Sequence, residues 1–162
     1  MNERFTRAAT LSDAARIAAI YNQGIEDRVA TFETEPRTPE QILTWFAEGY
    51  PVFVSGENQT IQAYAAAFPY RSRPCYDGVR EFSVYVAREG RGKGFGKAAL
   101  GALIDDAKAR SWWKLLSRIF PENRASRKLC TALGFREVGI YEKHARLDGR
   151  WRDTVIVEKL LT

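Results

Sequence analysis

The stretch Val79-Arg80-Glu81-Phe82-Ser83-Val84-Tyr85-Val86-Ala87 runs through Arg88 and Glu89 into Gly90-Arg91-Gly92-Lys93-Gly94-Phe95-Gly96, and its reading decides the fold. The first part is β-branched and aromatic, as a strand requires. The second is too glycine-rich for either regular element. Beyond it Leu100, Leu103, Ile104 and Ala107 recur at helical spacing. A strand entering a helix through a glycine-rich turn places backbone N–H groups and a helix N-terminus together, which makes a cradle for an anion. The glycines let the main chain approach phosphate oxygens closely. The segment lacks the Gly-Lys-Ser/Thr ending of a nucleotide-binding P-loop and misses the dinucleotide spacing.

Upstream, a short strand near Phe5 to Ala8 leads to a helix capped by Thr10 or Ser12, with Ala14, Ile17, Ala18 and Tyr21 on its buried face. Thr38-Pro39-Glu40-Gln41 is a capping box with proline at the first helical position; the helix it opens carries Ile42, Leu43 and Phe46. Pro51 to Ser55 and Thr60 to Phe68 read as strands joined by Gly56-Glu57-Asn58, and a polar loop spans Pro69 to Asp77. Downstream come a strand at Lys114 to Ile119, a helix from Asn123 to Leu133 that stops at Gly134, and two strands meeting at Asp148-Gly149. The order predicts one α/β (α+β) domain over residues 1–162, with a mixed, largely antiparallel central sheet and helices on both faces.

Composition narrows the function classes. At 162 residues with 45% hydrophobic side chains, the chain fills one core and leaves no material for a second domain. Arg4, Arg7, Asp13 and Arg16 interrupt the N-terminal stretch, which argues against a secretory leader or membrane span, so the expected location is the cytoplasm. Two cysteines, Cys75 and Cys130, and the single histidine His144 have no metal-site spacing, and no metal is expected. The net charge of +5 suits an anionic partner. Much of the excess lies at Arg88, Arg91, Lys93 and Lys97 and at Arg118, Arg124, Arg127 and Lys128. No nucleic-acid recognition motif accompanies it.

Arg91, Gly94 and Gly96, placed after the central strand and before a long helix, resemble the acetyl-CoA signature of the GNAT acetyltransferase superfamily, Gln/Arg-x-x-Gly-x-Gly/Ala. Asn123 and Leu133-Gly134-Phe135 fit a later feature of that family in order and spacing. The resemblance is closer to the phosphinothricin, methionine sulfoximine and arsinothricin N-acetyltransferases, through Tyr21-Asn22, Phe32-x-Thr34-Glu35-Pro36, Arg71-x-Arg73-x-x-Tyr76-Asp77, Glu81-x-x-Val84-Tyr85-Val86 and Gly149-x-Trp151-x-Asp153.

That resemblance implies an acetyl-CoA-dependent N-acetyltransferase acting on the α-amine of a small glutamate-like amino acid and conferring resistance to it. It implies a homodimer with a small-molecule acceptor. Acetyl-CoA would be held by Val84, Tyr85 and Val86 through the main chain, by the loop Arg91, Gly92, Lys93, Gly94, Phe95 and Gly96, and near Asn123. Backbone N–H groups near Val86 would stabilise the oxyanion. Arg71, Arg73 and Tyr76 would bind the acidic groups of the acceptor, with Phe32 closing the pocket. Cys130 departs from the pattern, standing where many members place a tyrosine acid.

The chemistry calls for a base, since an α-ammonium cannot attack a thioester and even peptide-type α-amines have a pKa of about 7.7–8.0. Strand alternation puts Glu81, Ser83 and Tyr85 on one face and Arg80, Phe82, Val84 and Val86 on the other. Glu81 falls where the resemblance places the general base. Tyr85, Cys130 and Tyr141 are conceivable acids and equally packing residues; His144 is read as exposed or structural. Another small amine as acceptor, a catalytically silent CoA-binding protein and a nucleic-acid-binding module remain the alternatives.

Overall fold

A computed structural model describes residues 2–162. Four helices and seven strands follow in the order β1 (Arg4–Ala8), α1 (Ala14–Asp27), α2 (Pro39–Ala47), β2 (Val52–Glu57), β3 (Thr60–Pro69), β4 (Val79–Val86), α3 (Phe95–Ala109), β5 (Lys114–Ile119), α4 (Arg124–Ala132), β6 (Arg136–Leu147) and β7 (Arg150–Leu160). The strands form one sheet in the order β1-β2-β3-β4-β5-β7-β6. Every neighbouring pair is antiparallel except β4 and β5.

The composition of β3 shows how the sheet carries two cores. Ala63, Ala65 and Ala67 point toward α3 and α4, where they join Phe82, Phe95, Leu100, Leu103, Leu115 and Val157. Tyr64 and Ala66 point the other way and pack with Ile17, Ile20, Tyr21, Ile42 and Trp45 of α1 and α2. A strand buried on both faces cannot alternate polar with apolar, and β3 does not. Its alanines, all without solvent exposure, keep that face of the sheet shallow beneath α3.

Thr38 caps α2 as the sequence requires, its hydroxyl accepting from the Gln41 amide while Gln41 Oε1 accepts from the Thr38 amide. Three boundaries differ from expectation. The β2–β3 turn is Asn58-Gln59, both with positive φ (52° and 68°), while Gly56 lies within β2 at a bulge. Such a two-residue turn matches strand twist, and asparagine tolerates it better than glutamine. The inner face of α2 is Ile42 and Trp45, and Leu43 is exposed. Helix α3 starts at Phe95, so Phe95 and Gly96 form its first turn and Phe95 is a core residue beneath the Arg4 guanidinium. Among the described residues no helix is long and apolar enough to cross a membrane.

Candidate active site

The site is built where β4 and β5 part. Their parallel pairing covers only Val79 to Glu81 against Lys114 to Leu116. β4 nevertheless continues to Val86, paired on its other edge with β3 up to Val86↔Ala63. From Phe82 onward one edge of a central strand therefore has no ladder partner, and unpaired backbone groups at that depth need a partner from elsewhere. Ser117 supplies one, its hydroxyl donating to the Phe82 carbonyl at 2.9 Å.

Two clefts meet along this open edge. One, of about 490 Å³, is walled by Val84, Tyr85 and Val86, by Arg91, Gly92, Gly94, Phe95, Gly96 and Lys97, and by Asn123, Ser126 and Lys128. The other, of about 520 Å³, is lined by Phe32, Glu81, Ser117, Arg118, Phe120, Cys130, His144 and Thr154 among others. Ala30, Val84, Tyr85, Asn123 and Ser126 belong to both, so the two form one bent channel with β4 as its floor.

In the first cleft Gly94 has φ of 89° and precedes α3. Not all the positive charge of this region is free. Arg88 and Arg91 both grip Asp27 at the end of α1, and Arg88 also bonds Glu26. The hydrogen bonds from Arg88 and then Arg91 hold the Asp27 carboxyl below its ordinary range. These arginines brace the loop against α1. Beside Arg91, the cleft is lined by Lys97 and Lys128, which no salt bridge engages among the described residues.

In the second cleft, Glu81 accepts from Arg118 Nη2 through both carboxylate oxygens, each at 2.8 Å. Arg118 counts in the sequence only as one of the basic residues before α4, and no motif there assigns it a role. Phe32 meets Phe120 edge-on at 4.9 Å between ring centres, and the Arg152 guanidinium lies over Phe120. Thr154 has a buried hydroxyl without a hydrogen-bond partner among the described residues. Arg71, Arg73 and Tyr76 are not among the residues that line this cleft. Arg71 folds back over its neighbour Tyr70 and Tyr76 meets the same ring, because the connection after β3 tightens into a short helical turn at Pro74–Tyr76.

The possible acids separate by environment. Tyr85 is stacked between Tyr21 and Tyr64, with ring centres 4.8 and 5.5 Å away. Burial first, then Tyr21, pushes its phenol well above the ordinary value. It is a packing residue. Cys130 is buried at the cleft wall and burial pushes its thiol up to about 12; passing a proton to a thiolate of ordinary basicity, pKa about 8.5, would run strongly uphill. His144 is exposed and packs beside Tyr141 at the cleft mouth.

A domain profile described as acetyltransferase (GNAT) domain matches residues 6–156. The chain belongs to the GNAT acetyltransferase family. With that membership comes the class of reaction, acetyl transfer from acetyl-CoA to an amine. Among known proteins, the chain is 33% identical to a phosphinothricin N-acetyltransferase of Streptomyces coelicolor, over 96% of this chain and 95% of that one. It is also 33% identical to an L-methionine sulfoximine/L-methionine sulfone acetyltransferase of Salmonella typhimurium, over 94% and 91% of the two chains. The crystal structure of a GNAT superfamily phosphinothricin acetyltransferase from Sinorhizobium meliloti in complex with acetyl-CoA superposes with a TM-score of 0.90 at 30% identity, covering 97% of this chain and 88% of that one.

Proposed function

We propose that this acetyltransferase acetylates the α-amine of a small glutamate-like amino acid, of the phosphinothricin, methionine sulfoximine or arsinothricin type, and so protects against that compound. The observation that carries the reading is the bent channel, in which a glycine-loop cleft and a cleft holding Glu81 share the floor Val84-Tyr85. One arm suits a phosphorylated carrier and the other a small polar acceptor.

In this reading acetyl-CoA supplies a thioester carbonyl for the amine to attack. The amides of Arg91 to Gly96 and the N-terminus of α3 hold its pyrophosphate, with Lys97 and Lys128 adding charge. The free edge of β4 from Val84 to Val86 holds the arm, and N–H groups near Val86 stabilise the developing oxyanion. Glu81 takes the ammonium proton, directly or through a water, leaving the lone pair free to attack; the thioester C–S bond then breaks, and CoA departs as a thiolate that takes up the second proton of the amine. Phe32 and Phe120 close the acceptor cavity. Arg71, Arg73 and Tyr76, on the loop that leads into β4, serve the acidic groups of the acceptor at the entrance of the cleft.

The enzyme is proposed to act in the cytoplasm as a homodimer. Val138, Ile140, Tyr141 and Trp151 are all at least 46% exposed on β6 and β7 at the open end of the sheet, an apolar edge that a second copy would cover. Sedimentation of the purified chain decides this.

Thiol release from acetyl-CoA, measured across phosphinothricin, arsinothricin, methionine sulfoximine, ordinary amino acids and polyamines, tests the function. The expected result is the highest kcat/KM with a glutamate analogue. Higher values for polyamines would overturn it.

A further inference from the structure

The pair formed by Glu81 and Arg118 does more than place a base. We infer that Arg118 anchors the α-carboxylate of the acceptor, so that the two side chains together read the zwitterionic head of a free amino acid. This rests on the amino-acid reading above and adds the residue that enforces it.

The backbone brings the two residues together. Glu81 is in register with Leu116, the last pairing before β4 and β5 part. Arg118 lies two residues further along β5 and therefore on the same face as Leu116 and Glu81. It is paired on its other side to Ile156 of β7, which fixes its direction. Its side chain thus reaches Glu81 across the mouth of the split.

The bonding leaves capacity unused. Both carboxylate oxygens of Glu81 accept from the single nitrogen Nη2. Nε and Nη1 of Arg118 bond no protein group among the described residues, and the side chain is 37% exposed while lining the acceptor cleft. A guanidinium is a planar fork suited to a carboxylate, and here the free part of the fork belongs to the cavity.

The charges match an amino acid in pairs. Its ammonium replaces Arg118 as the partner of Glu81, and its carboxylate replaces Glu81 as the partner of Arg118. One ion pair becomes two without stranding a charge. A simple amine or a polyamine satisfies Glu81 but offers Arg118 nothing in return, and a half-buried guanidinium left without its carboxylate is costly. Discrimination against amines lacking a carboxylate is then built into the pair.

The test compares L-methionine sulfoximine and L-phosphinothricin with their α-carboxamides, using the wild type, Arg118→Gln and Arg118→Lys. Wild-type kcat/KM should be about 10–150-fold higher for each acid than for its amide, the scale of one charge-assisted hydrogen bond. Arg118→Gln should remove that preference, chiefly through KM, by lowering the value for the acids far more than for the amides. Arg118→Lys should retain part of it. Unaltered acetyl-CoA affinity by calorimetry verifies the fold. Equal losses for acid and amide, a preference that survives in Arg118→Gln, or a wild type indifferent to the carboxamide would each overturn the anchor while leaving the acetyltransferase acting on amino acids. A wild type that acetylates polyamines and none of the amino acids would instead sink the amino-acid reading, and the anchor with it.

Discussion

Asn123 donates its side-chain amide to the carbonyl of Val29 at 3.1 Å, while its side-chain oxygen accepts from the Ser126 amide and caps α4. One side chain therefore ties the segment after α1 to the start of α4 above the open edge of β4. It stands where the two clefts meet and lines both. The bond spans 94 residues of sequence, so it holds the roof of the channel to its wall.

Two substitutions separate the roles of Asn123. Asn123→Ala loses cap and tether together and is expected to cost about 0.5–2 kcal/mol, seen as a Tm lowered by a few degrees. Asn123→Ser keeps a capping oxygen but cannot reach Val29. It should recover most of the Tm and still show raised KM for both acetyl-CoA and acceptor. Restoration of KM along with Tm would reduce Asn123 to a helix cap.

Gly94 offers a test of the carrier cleft. Its φ of 89° is one that a side chain disfavours, and a Cβ there would meet little protein, with Arg4 Nη1 the nearest atom at 3.7 Å. Gly94→Val therefore carries a conformational cost of about 1–2 kcal/mol and puts bulk into the cradle. Calorimetry on folded protein should show acetyl-CoA affinity reduced by about tenfold or more, a change of at least about 1.4 kcal/mol. Unchanged affinity would take the loop out of the binding site.

Elements set by local chemistry could be read from the sequence, as the cap at Thr38, the turn at Asp148-Gly149 and the strand-loop-helix from Val79 through α3 show. What could not be read is what depends on distant pairing. Arg118 looked like one more charge before a helix; only the parallel register of β4 and β5, joining residues 37 apart, carries it to Glu81. The same register could not reveal which way Arg71 and Arg73 turn, because sequence nearness to β4 fixes the start of their loop and not its direction. Arg88 and Arg91 likewise counted as unopposed charge until α1 supplied Asp27 and Glu26. A lone arginine on a central strand was the signal available for Arg118, since charge at such a position demands a partner.

The acid dependence of stability has a defined source in Asp13, which is 8% exposed. Its carboxylate accepts from both terminal nitrogens of Arg7, at 2.7 and 3.2 Å, and from the Thr10 amide at 2.8 Å. The Arg7 hydrogen bond, ahead of the Thr10 contacts, holds it below the ordinary value of 3.8 despite the opposing effect of burial. A depressed folded value means that this stabilisation is present in full above the unfolded pKa and is lost as pH falls through the folded one. Asp13→Asn should cost about 1–2 kcal/mol near neutrality. The gap from wild type in urea denaturation should hold down to about pH 4 and close only in stronger acid. A gap already shrinking at pH 6 would assign it to another group.

The decisive substitution is Glu81→Gln. An amide at this position keeps the size of the side chain and its ability to accept from Arg118 Nη2, so β4 and β5 should keep their separation. It cannot take a proton from an ammonium. Turnover with an amino-acid acceptor should therefore fall by about 10²–10⁴-fold at neutral pH, the range for loss of a general base, while acetyl-CoA affinity stays as it was. Raising the pH should recover much of the loss, because more of the acceptor then arrives as free amine and needs no base. A purely structural Glu81 behaves differently. If its task were only to orient Arg118, which the amide still does, any loss would be small, confined to KM for acceptors bearing a carboxylate, and unresponsive to pH. Kinetics of Glu81→Gln from pH 7 to 10 distinguish the two, and a mutant within a few-fold of wild type at pH 7 would assign Glu81 a structural role.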